Sequence, residues 1–287
     1  MVKPKRSTIR VPATTSNLGP GYDCLGVALQ IYNEVTVRRT AGRKRPAPHP
    51  MAAEAAKVFF AATSLRPFRF EWSVTGDVPV SRGLGSSVTL RLGIIAGLNR
   101  LAGSPLDRRE IFDLCARLEG HPDNAAPAAF GGFTACDPGG APPIRVTVDA
   151  RLKFVLLVPG FEVRTAEARA ILPPRVSRVA AAASAGRACR IAAVFATRRY
   201  ALLRGMFADE AFHQPHRESL VPMLSRVVAA GEQAGALGGF LSGSGSTICC
   251  VTLKSAPRVA AAMLRASGPG SGRILVTTAD NRGYRAL

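Results

Sequence analysis

The chain has 287 residues, 47% of them hydrophobic, and a formal net charge of +19. Its length fits one large domain or two ordinary domains of about 100–200 residues, and its apolar content is enough for a core. No apolar run reaches the roughly 18 uncharged residues of a membrane helix. Pro12 and a polar run follow the basic N-terminus where a signal peptide would be apolar. We therefore expect no membrane span and no signal peptide.

The cysteines and the positive charge restrict the possible class of protein less strongly than the length and apolar content do. None of the six cysteines forms a C-x-x-C pair or has the spacing of a zinc site. Reduced thiols in a cytoplasmic protein are the expectation. A basic chain can bind nucleic acid or attract anionic small molecules. The arginines are spread along the chain, and their one cluster, within residues 38–45, lacks interleaved aromatic residues. Nucleic acid is therefore a minor alternative as a partner.

Hydrophobic periodicity predicts mixed strands and helices in the first half of the chain. Helix 86–102 is almost wholly apolar and should be buried. Helix 106–118 should be capped by Ser104 with Pro105 at its first position. The predicted elements, in chain order, are a strand at 7–11, a turn-rich loop at 12–23, a strand at 27–39, a basic Pro-rich loop at 40–50, a helix at 51–63, a strand at 68–74, a loop at 76–85, and helices at 86–102 and 106–118.

The second half continues the mixture, and a domain boundary near residue 150 divides the chain into 1–150 and 151–287. Adjacent strands in the first half suit antiparallel pairing, so the fold class is α+β. The remaining predicted elements are strands at 131–134, 144–148, 151–158, 248–253 and 273–278, and helices at 165–170, 179–204, 218–231 and 256–267.

A glycine-rich loop joins a strand to the buried helix, and it reads Pro79-Val80-Ser81-Arg82-Gly83-Leu84-Gly85-Ser86-Ser87. Glycines allow a ligand to approach the backbone, and the free N–H groups of a helix start suit a phosphate. The chain lacks the G-x-x-x-x-G-K-[ST] motif of P-loop NTPases. Taken alone, the segment fits a phosphate site and a tight turn with a serine cap about equally.

Further stretches favour the phosphate site. Their order and their amino-acid sequences resemble those of the GHMP kinase superfamily, and of homoserine kinases most closely, over almost the whole chain. The similar stretches are VPATTSNLGPGYD at 11–23, GLGSS at 83–87, EGHPDNAAP at 119–127, TAEARAILP at 165–173, HQPHR at 213–217 and GALGGFLSGSGST at 235–247. The resemblance implies a two-domain GHMP kinase fold, with an N-terminal domain like ribosomal protein S5 domain 2 and a ferredoxin-like C-terminal domain. It also implies ATP and Mg²⁺ as cofactors and a possible homodimer.

The resemblance assigns roles residue by residue. Mg²⁺ would be held by Ser87 and Glu119, oxygen ligands of the kind that this ion takes. The nucleotide would contact Pro79, Arg82, Gly83, Leu84, Gly85, Ser86, Ser87, Ser242, Gly243 and Gly245. The catalytic and substrate-binding residues would be Asn17, Asp23, Asn124 and Arg217.

Each role has a plainer alternative. Asn and Asp are favoured in turns, and Arg217 could be one surface arginine among many. Arg217 is the candidate for the substrate carboxylate because its planar fork suits a bidentate pair. Glu119 sits at the wrong helix end for the dipole, which favours a functional reason. No general base stands out, although Asp23 and Asp123 are candidates, and transfer without a base is the hypothesis.

The chain departs from the family pattern in four places. Val88-Thr89-Leu90-Arg91 replaces the usual small residues, and Ser246 stands where homoserine kinases usually have proline. Residues 42–50 are basic and Pro-rich, and residues 181–187 lack an expected Asn. The predicted function is ATP-dependent phosphorylation of L-homoserine. The alternatives are a GHMP kinase for another small alcohol and a catalytically weak GHMP-fold binding protein. The joint presence of Asn17, Ser87, Glu119 and Arg217 argues against the last.

Overall fold

The computed structural model describes residues 4–40 and 49–287, which form two antiparallel sheets flanked by helices. The strands are β1 Arg6–Ser16, β2 Leu25–Arg39, β3 Phe70–Gly76, β4 Phe133–Ala135, β5 Ile144–Val146, β6 Lys153–Pro159, β7 Gly238–Leu241, β8 Ile248–Thr252, β9 Gly272–Thr277 and β10 Arg285–Ala286. The helices are α1 Pro50–Thr63, α2 Ser86–Ala102, α3 Arg108–Glu119, α4 Ala125–Phe130, α5 Thr165–Ala170, α6 Arg178–Thr197, α7 Gln214–Arg217, α8 Leu224–Gln233 and α9 Ala256–Ser267.

The first sheet has the order β10-β1-β2-β4-β5, with β3 also paired to β2. Helices α1 to α4 cover one of its faces and share a core with β1 and β2. Helix α2 packs directly on β2 through Gly93 and Gly97, where a Cβ on Gly97 would lie 2.6 Å from a methyl of Val37. This close packing fixes the start of α2, and therefore the glycine-rich loop, against the sheet.

The second sheet has the order β7-β8-β6-β9, and β6 faces two cores. Because side chains alternate along a strand, Phe154 and Leu156 point to one side and Val155 and Leu157 to the other. One side packs on α8 and α9. The other joins residues of the first sheet and of α6, where Phe133 and Phe195 stack with ring centroids 4.2 Å apart. An apolar core therefore connects the two sheets.

The predicted α+β class is confirmed, and helices α2, α5 and α9 have the predicted bounds. The loop predicted at 12–23 is wrong in its first part, because β1 continues to Ser16. The predicted cap Ser104 is also wrong. Helix α3 begins after Asp107, whose carboxylate accepts from the Glu110 N–H while Glu110 accepts from the Asp107 N–H in return.

Other bounds shift. The helix predicted at 179–204 ends at Thr197, and the helix predicted at 218–231 begins at Leu224. Helix α4 and strand β7 were not predicted. The last strand, β10, pairs with β1 in the first sheet, so the division at residue 150 stays a prediction. Most of the predicted basic loop lies outside the described residues.

Helix α6 is the one described helix that is long and apolar enough to cross a membrane by length and composition, and 22% of it is buried. A single helix of this kind is weak evidence of a span. Its Ile191, Val194 and Phe195 are buried in the core between the sheets, and Arg187 donates to the backbone of Asp209. These contacts place one face of α6 inside the fold.

Candidate active site

A cleft of about 390 Å³ opens between the glycine-rich loop, the loop after β1, the end of α3 and the turn after β7. Its walls carry most of the residues singled out from the sequence, although they come from distant parts of the chain. The predicted site residues that line it are Asn17, Asp23, Gly83, Gly85, Ser86, Ser87, Glu119, Asn124, Arg217 and Gly243.

The glycine-rich loop is held in one shape by both sheets. Gly83 and Gly85 both have φ +70°, a left-handed conformation that favours glycine. The Leu84 carbonyl accepts from the Thr14 N–H at 3.1 Å, and the Gly83 carbonyl accepts from the Ser242 hydroxyl at 2.7 Å. Helix α2 then starts at Ser86 without a side-chain cap, so its first N–H groups are available to an anion.

The start of α2 and the end of α3 meet at the Glu119 carboxylate, which has two hydrogen-bond partners on α2. The Ser87 hydroxyl donates to Glu119 Oε2 at 2.8 Å, and Arg91 Nη1 donates to Glu119 Oε1 at 2.7 Å. Arg91 also binds Glu54 on α1 at 3.0 Å. Burial would lower the pKa of Arg91, but its hydrogen bonds to the two carboxylates hold it above the ordinary value.

Asn124 is fixed at the start of α4 by two side chains of β1. Its Oδ1 accepts from the Thr14 hydroxyl at 2.6 Å, and its Nδ2 donates to Ser16 Oγ at 2.8 Å. Thr14 and Ser16 are buried, Ser16 lines the cleft, and both lie in the part of β1 for which the sequence predicts a loop. The extended strand therefore orients the amide of Asn124.

The loop after β1 presents a second ion pair to the cleft. Asp23 has φ +57°, and its Oδ1 accepts from Arg169 Nη2 at 2.7 Å. Arg169 also donates to the Tyr22 hydroxyl at 3.0 Å. Burial would lower the pKa of Arg169, but the hydrogen bond to Asp23 and its charge raise it. Asp23 is thus already partnered by a cation of the protein.

His121 and Asp123 form a third charged pair in the cleft. His121 Nδ1 lies 2.5 Å from Asp123 Oδ1, and the Asp123 side chain is buried. Burial would raise the pKa of Asp123, but the hydrogen bond from His121 lowers it, and the same bond raises the pKa of His121 against the effect of burial. Ligand atoms of Asp23, His121 and Asp123 lie within 4.8 Å of one another, so this group offers oxygen and nitrogen donors to a cation.

Arg217 and Asn17 meet on the backbone of the glycine turn after β7. Arg217 Nη1 and Asn17 Nδ2 both donate to the Gly243 carbonyl at 3.0 Å, and Arg217 Nε donates to the Ala168 carbonyl at 2.9 Å. Arg217 is 2% exposed, so it is a buried cation and the surface-arginine alternative is wrong. Burial lowers its pKa.

An apolar end of the cleft lies beyond the glycine-rich loop. It is lined by His49, Met51, Trp72, Val74 and Val80. The rings of His49 and Trp72 pack edge to face with centroids 5.4 Å apart. The Nδ1 atom of His49 is buried and has no hydrogen-bond partner among the described residues. This end can therefore accept a flat, apolar group.

Some predicted nucleotide residues do not line the cleft. Arg82 turns its guanidinium away and donates to the carbonyls of Pro159 and Gly160 at 3.0 and 2.9 Å. Leu84 is buried in the core between the sheets. The others outside the lining are Pro79, Ser242 and Gly245. Ser242 instead donates to the Gly83 carbonyl, so its side chain supports the loop from the second sheet.

Sequence analysis missed several residues of the site, Arg169 foremost. It lies in the stretch 165–173 that resembles homoserine kinases, so that stretch was the available signal. His121 lies in a similar stretch but was given no role. His49 and Trp72 gave no signal, because a lone histidine before a helix and an aromatic residue in a strand occur in any core.

Two family descriptions match the chain. "GHMP kinases N terminal domain" matches residues 50–132, and "GHMP kinases C terminal" matches residues 191–270. The fold and the loop at the start of α2 are thus those of a two-domain GHMP kinase. A mevalonate kinase from Staphylococcus aureus shares this fold, with a TM-score of 0.66 at 15% identity over 98% of this chain and 100% of that one.

Relatives identify the family within this class. A homoserine kinase from Moorella thermoacetica is 36% identical over 271 residues, or 90% of this chain and 91% of the relative. One from Deinococcus radiodurans is 39% identical over 262 residues, or 85% and 83%. A homoserine kinase structure from Cytophaga hutchinsonii has a TM-score of 0.91 at 23% identity, covering 100% and 99%. The chain belongs to the homoserine kinase family, which confirms the predicted small-molecule kinase.

Proposed function

We propose that this kinase transfers the γ-phosphoryl group of ATP to the hydroxyl of L-homoserine and forms O-phospho-L-homoserine for threonine biosynthesis in the cytoplasm. The observation that carries the proposal is one cleft that brings together the uncapped start of α2 and a cluster of opposite charges. The relatives named homoserine kinase support the same acceptor. Assembly as a homodimer stays a prediction.

The nucleotide would lie along the glycine-rich loop. The uncapped start of α2 offers N–H groups and the positive end of the helix dipole to its phosphates. The apolar end of the cleft would take the base, with the Trp72 ring as its stacking partner. Ser242 would act indirectly by holding the Gly83 carbonyl.

The residues at the α2–α3 junction fit Mg²⁺ by their chemistry. A hydroxyl and a carboxylate, from Ser87 and Glu119, lie 2.8 Å apart beside the phosphate site. Mg²⁺ is commonly bound by one or two carboxylates together with substrate phosphates and water. When bound there, the ion would neutralise charge on the phosphates.

The acceptor would occupy the charged end of the cleft, because an amino acid brings one ammonium and one carboxylate. The carboxylates of Asp23 and Asp123 would face the ammonium group, and Arg169 and Arg217 would offer cations to the carboxylate. Asn124, fixed by Thr14 and Ser16, would face the hydroxyl between the two ends. A neutral alcohol would make no use of these charges, which would stay in the pairs Asp23–Arg169 and Asp123–His121.

Positioning explains the transfer without a strong base. Phosphoryl transfer passes through a loose transition state in most analyses, so alignment and charge neutralisation carry most of the catalysis. Of the two candidate bases, Asp23 is already bound to Arg169, and the hydrogen bond from His121 lowers the pKa of Asp123. The hydroxyl proton would then leave late, once the new oxygen–phosphorus bond is forming. Asp123→Asn should retain measurable turnover. Loss of turnover with both substrate affinities intact would identify Asp123 as a base.

A coupled assay of ADP release with ATP-Mg and a panel of alcohols led by L-homoserine tests the function. Glu119→Gln should abolish homoserine-dependent turnover, because it removes the charge of the metal ligand. Asp113→Asn is the matched control, since it removes a half-exposed carboxylate from the same helix, α3, outside the cleft lining. Turnover with another alcohol alone would replace the acceptor. Nucleotide binding without turnover on any alcohol would favour a binding protein.

A further inference from the structure

Arg91 lies one helical turn after Ser87 on α2. Its guanidinium binds the carboxylate of Glu119, which is a Mg²⁺ ligand in the proposed function. Both oxygens of Glu119 are engaged, Oε1 by Arg91 and Oε2 by Ser87. The Glu119 side chain is only 7% exposed, and that of Arg91 is 15% exposed. The pair is therefore shielded from water, and its attraction is stronger than that of a surface pair.

The surroundings of Arg91 allow it to give up Glu119. Its Nη2 already binds Glu54, whose side chain is 52% exposed on α1, so a second counter-ion remains when Glu119 is taken. Its Nε is buried without a hydrogen-bond partner among the described residues. A guanidinium held by charge with one donor unsatisfied is less firmly fixed than one whose donors are all paired.

We propose that Arg91 is the resident counter-ion of Glu119 and keeps free divalent cations out of the site, so that the metal enters only together with the nucleotide. The inference rests on the proposed function. A bare divalent ion that approaches Glu119 meets a guanidinium bound to the same carboxylate, and the repulsion opposes its binding. The phosphates of a nucleotide bring enough negative charge to hold both cations. Arg91 is therefore a positioning residue that couples metal binding to nucleotide binding.

Binding of Mn²⁺, followed by its electron paramagnetic resonance signal with and without ADP, tests this coupling without any turnover. Arg91→Met keeps the length of the side chain and removes its charge, so Mn²⁺ should bind to the nucleotide-free protein at least about tenfold more tightly than to the wild type. Arg91→Lys keeps the charge and should exclude free Mn²⁺ as the wild type does. Arg117→Met removes an exposed charge from α3 and should change nothing.

Equal nucleotide-free affinities of the wild type and Arg91→Met would overturn the proposal, and so would an Arg91→Lys variant that binds as tightly as Arg91→Met. Arg91→Gln makes the same comparison if Arg91→Met does not fold by circular dichroism. Failure of the wild type to bind Mn²⁺ even with ADP would contradict the metal site of the proposed function. That result is distinct, since the comparison without nucleotide still decides the role of Arg91.

Discussion

Replacement of Gly83 by alanine should separate the phosphate loop from the second sheet. A Cβ on Gly83 would overlap the backbone carbonyl of Ser242 and lie 2.9 Å from the backbone of Gly245. These are backbone atoms of a tight turn, so they cannot rotate away as a side-chain end would. Gly205 is a matched control, because it has the same φ of +70° but a Cβ there would meet no atom within 4 Å among the described residues.

The structure sets the size of the difference in stability that we expect between Gly83→Ala and Gly205→Ala. Alanine in the left-handed region costs about 1 kcal/mol relative to glycine, and both variants carry this cost. Only Gly83→Ala adds an overlap in a packed site, which typically costs about 1–3 kcal/mol. It also strains the 2.7 Å hydrogen bond from Ser242 to the Gly83 carbonyl, worth about 1 kcal/mol. We expect Gly83→Ala to lower the free energy of unfolding by about 3–5 kcal/mol and Gly205→Ala by about 1 kcal/mol.

Urea unfolding followed by circular dichroism measures both values. The KM for ATP should rise in Gly83→Ala and stay unchanged in Gly205→Ala, because only the first moves the loop that faces the phosphates. Equal losses of stability in the two variants would refute the reasoning, since they would show that the Ser242 turn yields to the added methyl group at no cost.

Three further predictions test separate features. Asp107→Ala should lower the free energy of unfolding by about 1 kcal/mol, because α3 loses its capping box, and Ser104→Ala should not. Burial and Arg217 lower the pKa of His213 from 6.5 to about 3, so only the unfolded chain takes up a proton as the pH falls. The wild type should therefore lose about 2 kcal/mol from this group between pH 7 and pH 5, and urea unfolding of His213→Gln should lack this loss. Trp72→Ala should raise the KM for ATP about tenfold through lost stacking, with the KM for homoserine unchanged; an unchanged KM for ATP would place the base elsewhere.

Local signals explain which elements could be predicted. Helix α2 was predicted with its observed bounds, because glycines stand on both sides of it. Helix α4 was missed because its sequence, AAPAAF, is short, uniformly apolar and interrupted by Pro127. Strand β7 begins with two glycines, which weaken a strand pattern. The cap of α3 was misplaced because Ser104-Pro105 and Asp107 are both good helix starts, and tertiary contacts decide between them.

In the active-site cleft, too, the residues within local motifs could be predicted, whereas contacts between distant segments could not. The motifs predicted which loops converge, since Asn17, Asp23, Glu119, Asn124 and Arg217 all line one cleft. Partners on other elements could not be read from spacing. The arginine at position 91 can be read from the sequence, but its contact with Glu119 depends on how α2 crosses α3. The polar residues after Pro12 suit a turn, whereas their hydrogen bonds to Asn124 keep them in a strand.

The pairing of β10 with β1 has a consequence for folding. Ile9 pairs with Ala286 and Arg10 with Arg285, so the outer edge of β1 is covered by a strand that is far away in the sequence. Until β10 is in place, that edge offers unpaired N–H and C=O groups to other strands. Because pairing between distant segments requires more loop-closure entropy than local pairing, we expect this edge of the first sheet to close late in folding.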